Sequence, residues 1–542
     1  MGVSQRPRSE EQRRDSMKIL FVRPNKDSFG YKPISISLLS GIAKSAGWDT
    51  RLFDTTEIDF GFTSHVKSGE QAKFFKPVDA SRYGLEKRKA DLESECTALL
   101  DEYKPDCLAL SVLSDEHLIA AQISGIAKKV NRDLPVIWGG KYPTLNPDKT
   151  LREFFADYVC VGEGIDAFRE FLETLSGGRD ASSIANIYAK RGGRIVKNPI
   201  RPLRKTLDDL PYADWDIFDK RQFYKPFDGT MYIGGDHMLN WGCPYHCTYC
   251  INDFYHTLYK KRYSMRRYGI RRIIDELKFL KERYALEFFK FHDEDFLMRP
   301  LEDLRELSDT YRREVNLPFV IETNPKSVTT DKARLLERMN CVSATLGIET
   351  GDAALRRNLL KRVDTQEDIV RAFSALKAVG IRTSSFNMLG IPYETRRTYQ
   401  STVELNRKAD VQYPIIGFFY PFEGTVLREV AIREGFFDPQ GEEAHVYQRD
   451  RPALTLPAVS AQELIEMRNV FVLYVKLPRV YELFIRRSEL PDERARLIRR
   501  ALLEVYDKTV WANNGWYRDD GMQDEHLSRL AALMGDGAKV RA

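Results

Sequence analysis

Apolar residues recur along this chain in two alternating patterns. Short continuous runs, such as Ile19-Leu20-Phe21-Val22, are bounded by Gly, Pro or Asn and read as strands buried on both faces. Longer stretches carry apolar residues three and four apart and read as helices. The pattern predicts strands over Lys18–Arg23, Thr50–Asp54, Cys107–Leu113, Pro135–Trp138 and Tyr158–Val161. Helices are expected over Ile34–Ser45, stopped by Gly47, and over about 116–130. Residues 60–95 break the pattern; they are polar and irregular and read as an insertion. Alternating strands and helices imply a doubly wound α/β domain. Ligands of such sheets bind beyond the carboxyl ends of the strands. Gly139-Gly140 and Gly162-Glu163-Gly164 lie at two of those ends, where glycine lets backbone approach a ligand closely.

A connector over residues 180–235 leads to a second series. Strands are expected near 236–241, 287–292, 317–322, 342–348, 384–390 and 414–420, with helices such as Arg271–Arg283, Lys332–Met339 and Thr365–Val379 between them. Six βα repeats suggest an open, partial (β/α)6 barrel, whose chemistry should sit at the carboxyl ends of its strands. Residues 436–542 read as helical and aromatic, with Tyr474, Trp511 and Trp516, and are expected to form a third domain capping the barrel.

A length of 542 residues fits about three domains, and 43% hydrophobic content is enough for full cores. The net charge of +5 argues against nucleic-acid binding as the main function. Seven cysteines in such a chain are no disulfide framework. Cys96, Cys107, Cys160 and Cys341 are scattered and read as small buried hydrophobes. The first sixteen residues are polar, lack the apolar core of a signal peptide and read as a disordered tail. No apolar run reaches membrane-spanning length; the best, Val470–Leu477, is short and flanked by charge.

The remaining cysteines change the picture. Cys243, Cys247 and Cys250 stand as Gly-Cys-Pro-Tyr-His-Cys-Thr-Tyr-Cys, a C-x3-C-x2-C spacing on one short loop after the first barrel strand. Three thiolates can hold three irons of a [4Fe–4S] cluster and leave the fourth open to a substrate. The same cysteines could also be part of a zinc site, with His246 or His256 as fourth ligand.

This spacing resembles the signature of the radical S-adenosylmethionine (SAM) enzymes. In that family the open iron chelates the amino and carboxylate groups of SAM, and an electron from the cluster cleaves SAM to a 5′-deoxyadenosyl radical. Tyr249, just before the third cysteine, stands where the family places an aromatic against adenine. Asp293 and Glu294, in His292-Asp293-Glu294-Asp295-Phe296, occupy the place of the motif that holds the SAM amino group. Gly347-Ile348-Glu349-Thr350-Gly351 resembles the family's G-I-E-S-G, whose glutamate reaches the SAM ribose or amino acid moiety. Leu389-Gly390-Ile391-Pro392-Tyr393-Glu394-Thr395 is similar to its F-G-x-P-x-E-T, whose backbone passes near adenine. Pro421-Phe422-Glu423-Gly424-Thr425 is similar to P-x-P-G-T, with Glu423 in place of the second proline.

The first domain resembles the cobalamin-binding domain. Ser111-Val112-Leu113 matches that family's S-x-L, and Gly139-Gly140 its GG turn. The D-x-H-x-x-G whose histidine ligates cobalt is absent; Asn25-Lys26-Asp27-Ser28-Phe29-Gly30 stands there, so a bound cobalamin is expected to lack a histidine below cobalt. Thr206–Asp219 is similar to the linker of cobalamin-dependent radical SAM proteins.

The resemblance implies a Rossmann-like cobalamin-binding domain (17–180), a linker (181–230) and a radical SAM partial barrel (231–435); the residue pattern adds a disordered tail (1–16) and a helical domain (436–542) that the resemblance does not cover. The implied cofactors are a [4Fe–4S] cluster on Cys243, Cys247 and Cys250, SAM on Tyr249, Asp293, Glu294, Glu349 and Gly390, and cobalamin on Ser111, Leu113, Gly139, Gly140 and Gly162. The implied activity is transfer of a methyl group from methylcobalamin to an unactivated carbon or phosphorus of a small molecule. Cyclisation or rearrangement without net methylation, and a radical reaction without cobalamin, stay open. A cytoplasmic protein served by an electron donor such as flavodoxin or ferredoxin is expected, and no residue is singled out as a general acid or base.

Overall fold

The computed structural model describes residues 17–27, 29–61, 65–260, 265–440 and 451–534. The expected N-terminal tail lies outside these. The described chain forms two compact units. Of the described residues, one takes those within 17–61, 79–225 and 254–260; the other takes those within 65–78, 226–253 and 265–534.

The first unit is built on a seven-stranded sheet in the order β2-β1-β3-β4-β5-β6-β7. Its strands are β1 (Lys18–Arg23), β2 (Asp49–Asp54), β3 (Cys107–Ser111), β4 (Val136–Gly139), β5 (Tyr158–Cys160), β6 (Ile187–Arg191) and β7 (Arg194–Val196). The first five run parallel, and β6 and β7 extend the edge antiparallel. Two apolar clusters, one around Leu20, Leu108 and Trp138 and one around Ile19, Phe21 and Phe171, carry the two sets of alternating side chains. The helices Ile34–Ser45 and His117–Val130 fall where periodicity put them. The expected connector is not irregular throughout, because β6 and β7 belong to this sheet.

The second unit holds another seven-stranded sheet, ordered β16-β15-β14-β13-β12-β9-β8. Its strands are β8 (Tyr224–Phe227), β9 (Thr230–His237), β12 (Phe288–Phe291), β13 (Phe319–Thr323), β14 (Cys341–Glu349), β15 (Arg382–Leu389) and β16 (Tyr413–Phe418). Strands β10 (Asn240–Trp241) and β11 (Arg266–Arg267) form a separate pair. From β9 to β16 the neighbours are parallel, with helices between them, which is the expected open half-barrel. The first strand runs earlier than the sequence pattern indicates, because the polar pair Asp236-His237 ends it rather than begins it.

Residues 65–78 correct the reading of 60–95 as irregular insertion. They include the helix His65–Gln71 and belong to the second unit, where Ala72 and Phe74 join its apolar core. Lys73 pairs with Asp507 at 2.8 Å and Lys76 with Asp228 at 2.8 Å. The C-terminal residues are helical, at Ala461–Lys476, Glu482–Arg487, Glu493–Thr509 and Gln523–Met534, and they share that core with β15 and β16.

Candidate cofactor sites

The cysteine loop follows β9 and is held at several points. Thr248, between Cys247 and Tyr249, donates through Oγ1 to Leu359 O (2.7 Å) and through N to Leu360 O (3.2 Å). These carbonyls end a π-helical turn, Leu355–Leu359. Such a turn departs from the α-helical bonding ladder and is common at functional sites. Cys250 N donates to Cys247 O (3.0 Å), closing the second half of the motif. Cys243 and Cys247 are buried and Cys250 is partly exposed. Burial pushes the Cys243 thiol up to about 12, so iron must displace its proton on binding. His246 is exposed and bonded to Asp253 (2.9 Å). Among the described residues no three such donors converge on a single metal ion, and three sulfur donors on one clamped loop are the donor set that a [4Fe–4S] cluster uses.

Buried charge surrounds Tyr249. Arg362 Nη1 donates to the Tyr249 hydroxyl (3.2 Å) and Nη2 donates to Gly347 O (2.6 Å). The same guanidinium lies 2.9 Å from Asp364 and 3.7 Å from Glu349. Arg356 completes the group, donating to Asp364 Oδ2 (2.9 Å) and Ile348 O (2.9 Å). Glu349 sits at φ +63°, and its carboxylate folds back over Gly347, where a side chain would collide with it. Burial raises the Glu349 carboxyl and Arg362 opposes it. Arg362, Arg356 and Asp364 had no motif to mark them; five charged residues within Arg356–Asp364 gave only a weak signal.

The two acids after β12 separate in role. Asp293 is buried and accepts from Leu239 N (3.1 Å), Asn240 N (2.6 Å) and Asn240 Nδ2 (2.6 Å). Its carboxylate therefore ties down the segment leading to the cysteines, and burial lifts it to about 6. Glu294 accepts from Asn252 Nδ2 (3.0 Å), and that nitrogen also lies 3.5 Å from Cys250 Sγ. Gly390 follows β15 at φ +79°, and Gly390 N and Ile391 N (3.2 Å) both donate to Glu394 Oε2.

In the first unit, Ser111, Leu113, Gly139 and Gly140 gather at the carboxyl edge of β3 and β4. Gly140 has φ +104°, and a Cβ there would come within 2.7 Å of Val112 O and 2.9 Å of Val112 N. Only glycine closes this turn. Leu113 is 39% exposed beside it, and the Ser111 and Ser35 hydroxyls pair at 3.1 Å. An open apolar side chain, paired hydroxyls and a flat glycine turn suit a broad ring with polar substituents. Gly162 is different. Its side-chain space is taken by Tyr259, whose hydroxyl accepts from Glu163 N (2.7 Å), while Gly162 N donates to Thr144 Oγ1 (3.1 Å). The absence of a side chain at Gly162 is accounted for by Tyr259, a residue no motif marked.

The comparisons with known proteins match a domain in each unit. The radical SAM superfamily profile matches residues 241–405, and the B12-binding domain profile matches residues 82–172. The chain is a cobalamin-dependent radical SAM enzyme. Its cofactors are a [4Fe–4S] cluster, SAM and cobalamin. It is 24% identical over 390 residues to an uncharacterized methyltransferase of Pyrococcus horikoshii, covering 71% of this chain and 82% of that protein. It is 23% identical over 405 residues to the anaerobic magnesium-protoporphyrin IX monomethyl ester cyclase of Rubrivivax gelatinosus, covering 72% and 66%. Among solved structures, the radical enzyme OxsB with aqua-cobalamin and SAM bound aligns with a TM-score of 0.60 at 14% identity, covering 97% of this chain and 77% of that one.

Proposed function

We propose that this enzyme is a methyltransferase that moves a methyl group from cobalamin to an unactivated carbon or phosphorus of a small molecule. The observation that supports it is the presence of both ligand-bearing edges in one chain. Methyltransferase relatives share most of their length with this chain. When bound, the cluster and SAM supply a radical that abstracts hydrogen, and cobalamin supplies the methyl group.

The chain's own residues bind, orient and exclude water. Cys243, Cys247 and Cys250 would hold the cluster, and Thr248 fixes their loop. Arg362 fixes Tyr249 and Glu349, which would contact SAM, Glu294 and Asn252 lie beside Cys250, and Glu394 shapes the Gly390 turn. Ser111, Leu113, Gly139 and Gly140 would seat cobalamin, with Gly162 supporting the edge through Tyr259. A flavodoxin- or ferredoxin-type donor would supply electrons, and a reducing cytoplasmic setting suits the free thiols of the cluster loop. Among the described residues no helix is long and apolar enough to cross a membrane.

The test is anaerobic reconstitution with iron, sulfide and cobalamin, then addition of SAM and a reductant. Retained cobalamin together with 5′-deoxyadenosine and methylcobalamin is the expected result. 5′-Deoxyadenosine without retained cobalamin would overturn the methyl-transfer reading.

A further inference from the structure

Strand alternation identifies the inner face of the half-barrel. His237 pairs with Glu276 on the helix Ile270–Tyr284, and Phe291 packs on Tyr311 of the helix Leu301–Glu314, so both face the helix layer. Their neighbours Asp236, Lys290 and His292 face the lumen. The registers Lys290↔Val320, Glu322↔Thr345, Gly347↔Phe386 and Met388↔Gly417 carry the same face round the sheet. Below it, Phe288 stacks with Phe227 (5.2 Å) and Tyr232 (5.5 Å), and Arg382 covers Tyr413 (3.8 Å), closing the floor.

The lumen above this floor is charged on one wall, and the Glu349 carboxylate folds over Gly347 within it. Phe386 is 39% exposed, and a Cβ added at Gly417 meets nothing within 4 Å. Lys290 and Glu322 pair at 3.4 Å with side chains 38% and 40% exposed. One step higher, His292 Nε2 lies 2.7 Å from Asp236 Oδ1, which fixes the ring's orientation. A half-exposed ion pair is weak, so opening it to a ligand costs little. Adjacent groups of opposite sign facing an apolar wall complement a molecule carrying both signs beside an apolar portion.

We propose that this lumen binds the methyl acceptor, and that the acceptor is a small zwitterion of the α-amino-acid type. Its ammonium meets Glu322, its carboxylate meets Lys290 and His292, and its side chain lies against Phe386. This rests on the methyltransferase reading above and names its substrate class. The test is calorimetric titration of the cluster-loaded, cobalamin-loaded protein, saturated with SAM, with each of the twenty L-amino acids. Saturating SAM keeps the probe from occupying the SAM site. At least one amino acid with a large apolar side chain is expected to bind, and its N-acetyl and methyl ester derivatives are not. K290M and E322Q should each weaken binding tenfold or more, and F386A should weaken it too. K290R and E322D, which keep the charge, should restore most of the affinity. No binding by any of the twenty, or binding indifferent to K290M and E322Q, would overturn the proposal. Formation of 5′-deoxyadenosine by the wild type, measured in parallel, fails only if the radical reading itself is wrong.

Discussion

The two sheets of this enzyme carry the proposed cofactor turns at the carboxyl ends of their strands, but they hold those turns by different means. At the first sheet the contacts are neutral: Thr144 and Tyr259 hydroxyls accept backbone N–H groups, Ser35 pairs with Ser111, and Gly140 closes on Val112. At the second most contacts are charged: Arg362 and Arg356 on Asp364, and Asp293 on three N–H donors. The difference matches the ligands. A corrin is broad and needs a flat, shape-matched edge. SAM carries an ammonium, a carboxylate and a sulfonium, and recognition of such a molecule needs fixed charges that do not reorganise on binding. The first edge should therefore fail through shape and the second through charge.

The largest effect is expected at the cysteines. Cys247→Ala should leave the chain without a stable cluster and abolish SAM cleavage, yet leave cobalamin retention close to wild type. Iron and cobalt content after desalting measure both at once. Loss of cobalamin together with iron would break the comparison, because the two edges would then not be separable. Next comes Arg362→Met, which strands Glu349 and part of Asp364 in a buried setting. Breaking a buried ion pair by removing one partner costs roughly 3–5 kcal/mol. SAM affinity should fall by tenfold or more, and thermal melting should drop. Unchanged SAM binding would show that Glu349 is positioned by backbone alone.

Gly140→Ala tests the other edge. The side chain would be forced into the left-handed region and against Val112. Strained conformations of this kind cost of order 1–3 kcal/mol. Cobalamin retention should be lost while cluster content and SAM cleavage persist. If SAM cleavage falls instead, the glycine turn serves the fold rather than the cofactor.

How much of this was legible beforehand follows the same division. Some parallel strands announced themselves because they are buried on both faces and read as continuous apolar runs, as at Ile19–Val22 and Cys107–Leu110. The cysteine loop was legible because its three cysteines lie within eight residues of sequence. The Arg362–Asp364–Arg356 group was not, because it acts on Tyr249, more than a hundred residues earlier, and only the fold brings them together. Residues 65–78 were misread because their few apolar residues are buried against the distant helices of the C-terminal region, so the segment carries no periodicity of its own. Gly162 looked like a ligand turn, since the sequence cannot distinguish a glycine that admits a cofactor from one that admits a tyrosine.

The smallest expected effect sharpens the charged side of the comparison. Glu394 is 1% exposed; its Oε2 takes two backbone N–H groups, and its Oε1 has no hydrogen-bond partner among the described residues. Burial without a neighbouring cation raises its carboxyl from 4.5 to about 8. The folded protein therefore binds this proton more tightly than the unfolded chain does. The stabilisation is fully present below the unfolded value near 4.5 and is lost as pH rises through about 8. Glu394→Gln keeps the acceptor oxygen for Gly390 and Ile391 and cannot ionise. At pH 5 the two proteins should melt within a few degrees of each other. Between pH 6 and 9 the wild type should lose more melting temperature than the variant, with SAM affinity following the same trend. Parallel melting curves across that range would mean that Glu394 is ionised in the folded protein. The Gly390 turn would then be held by a carboxylate after all, on the same footing as Asp364.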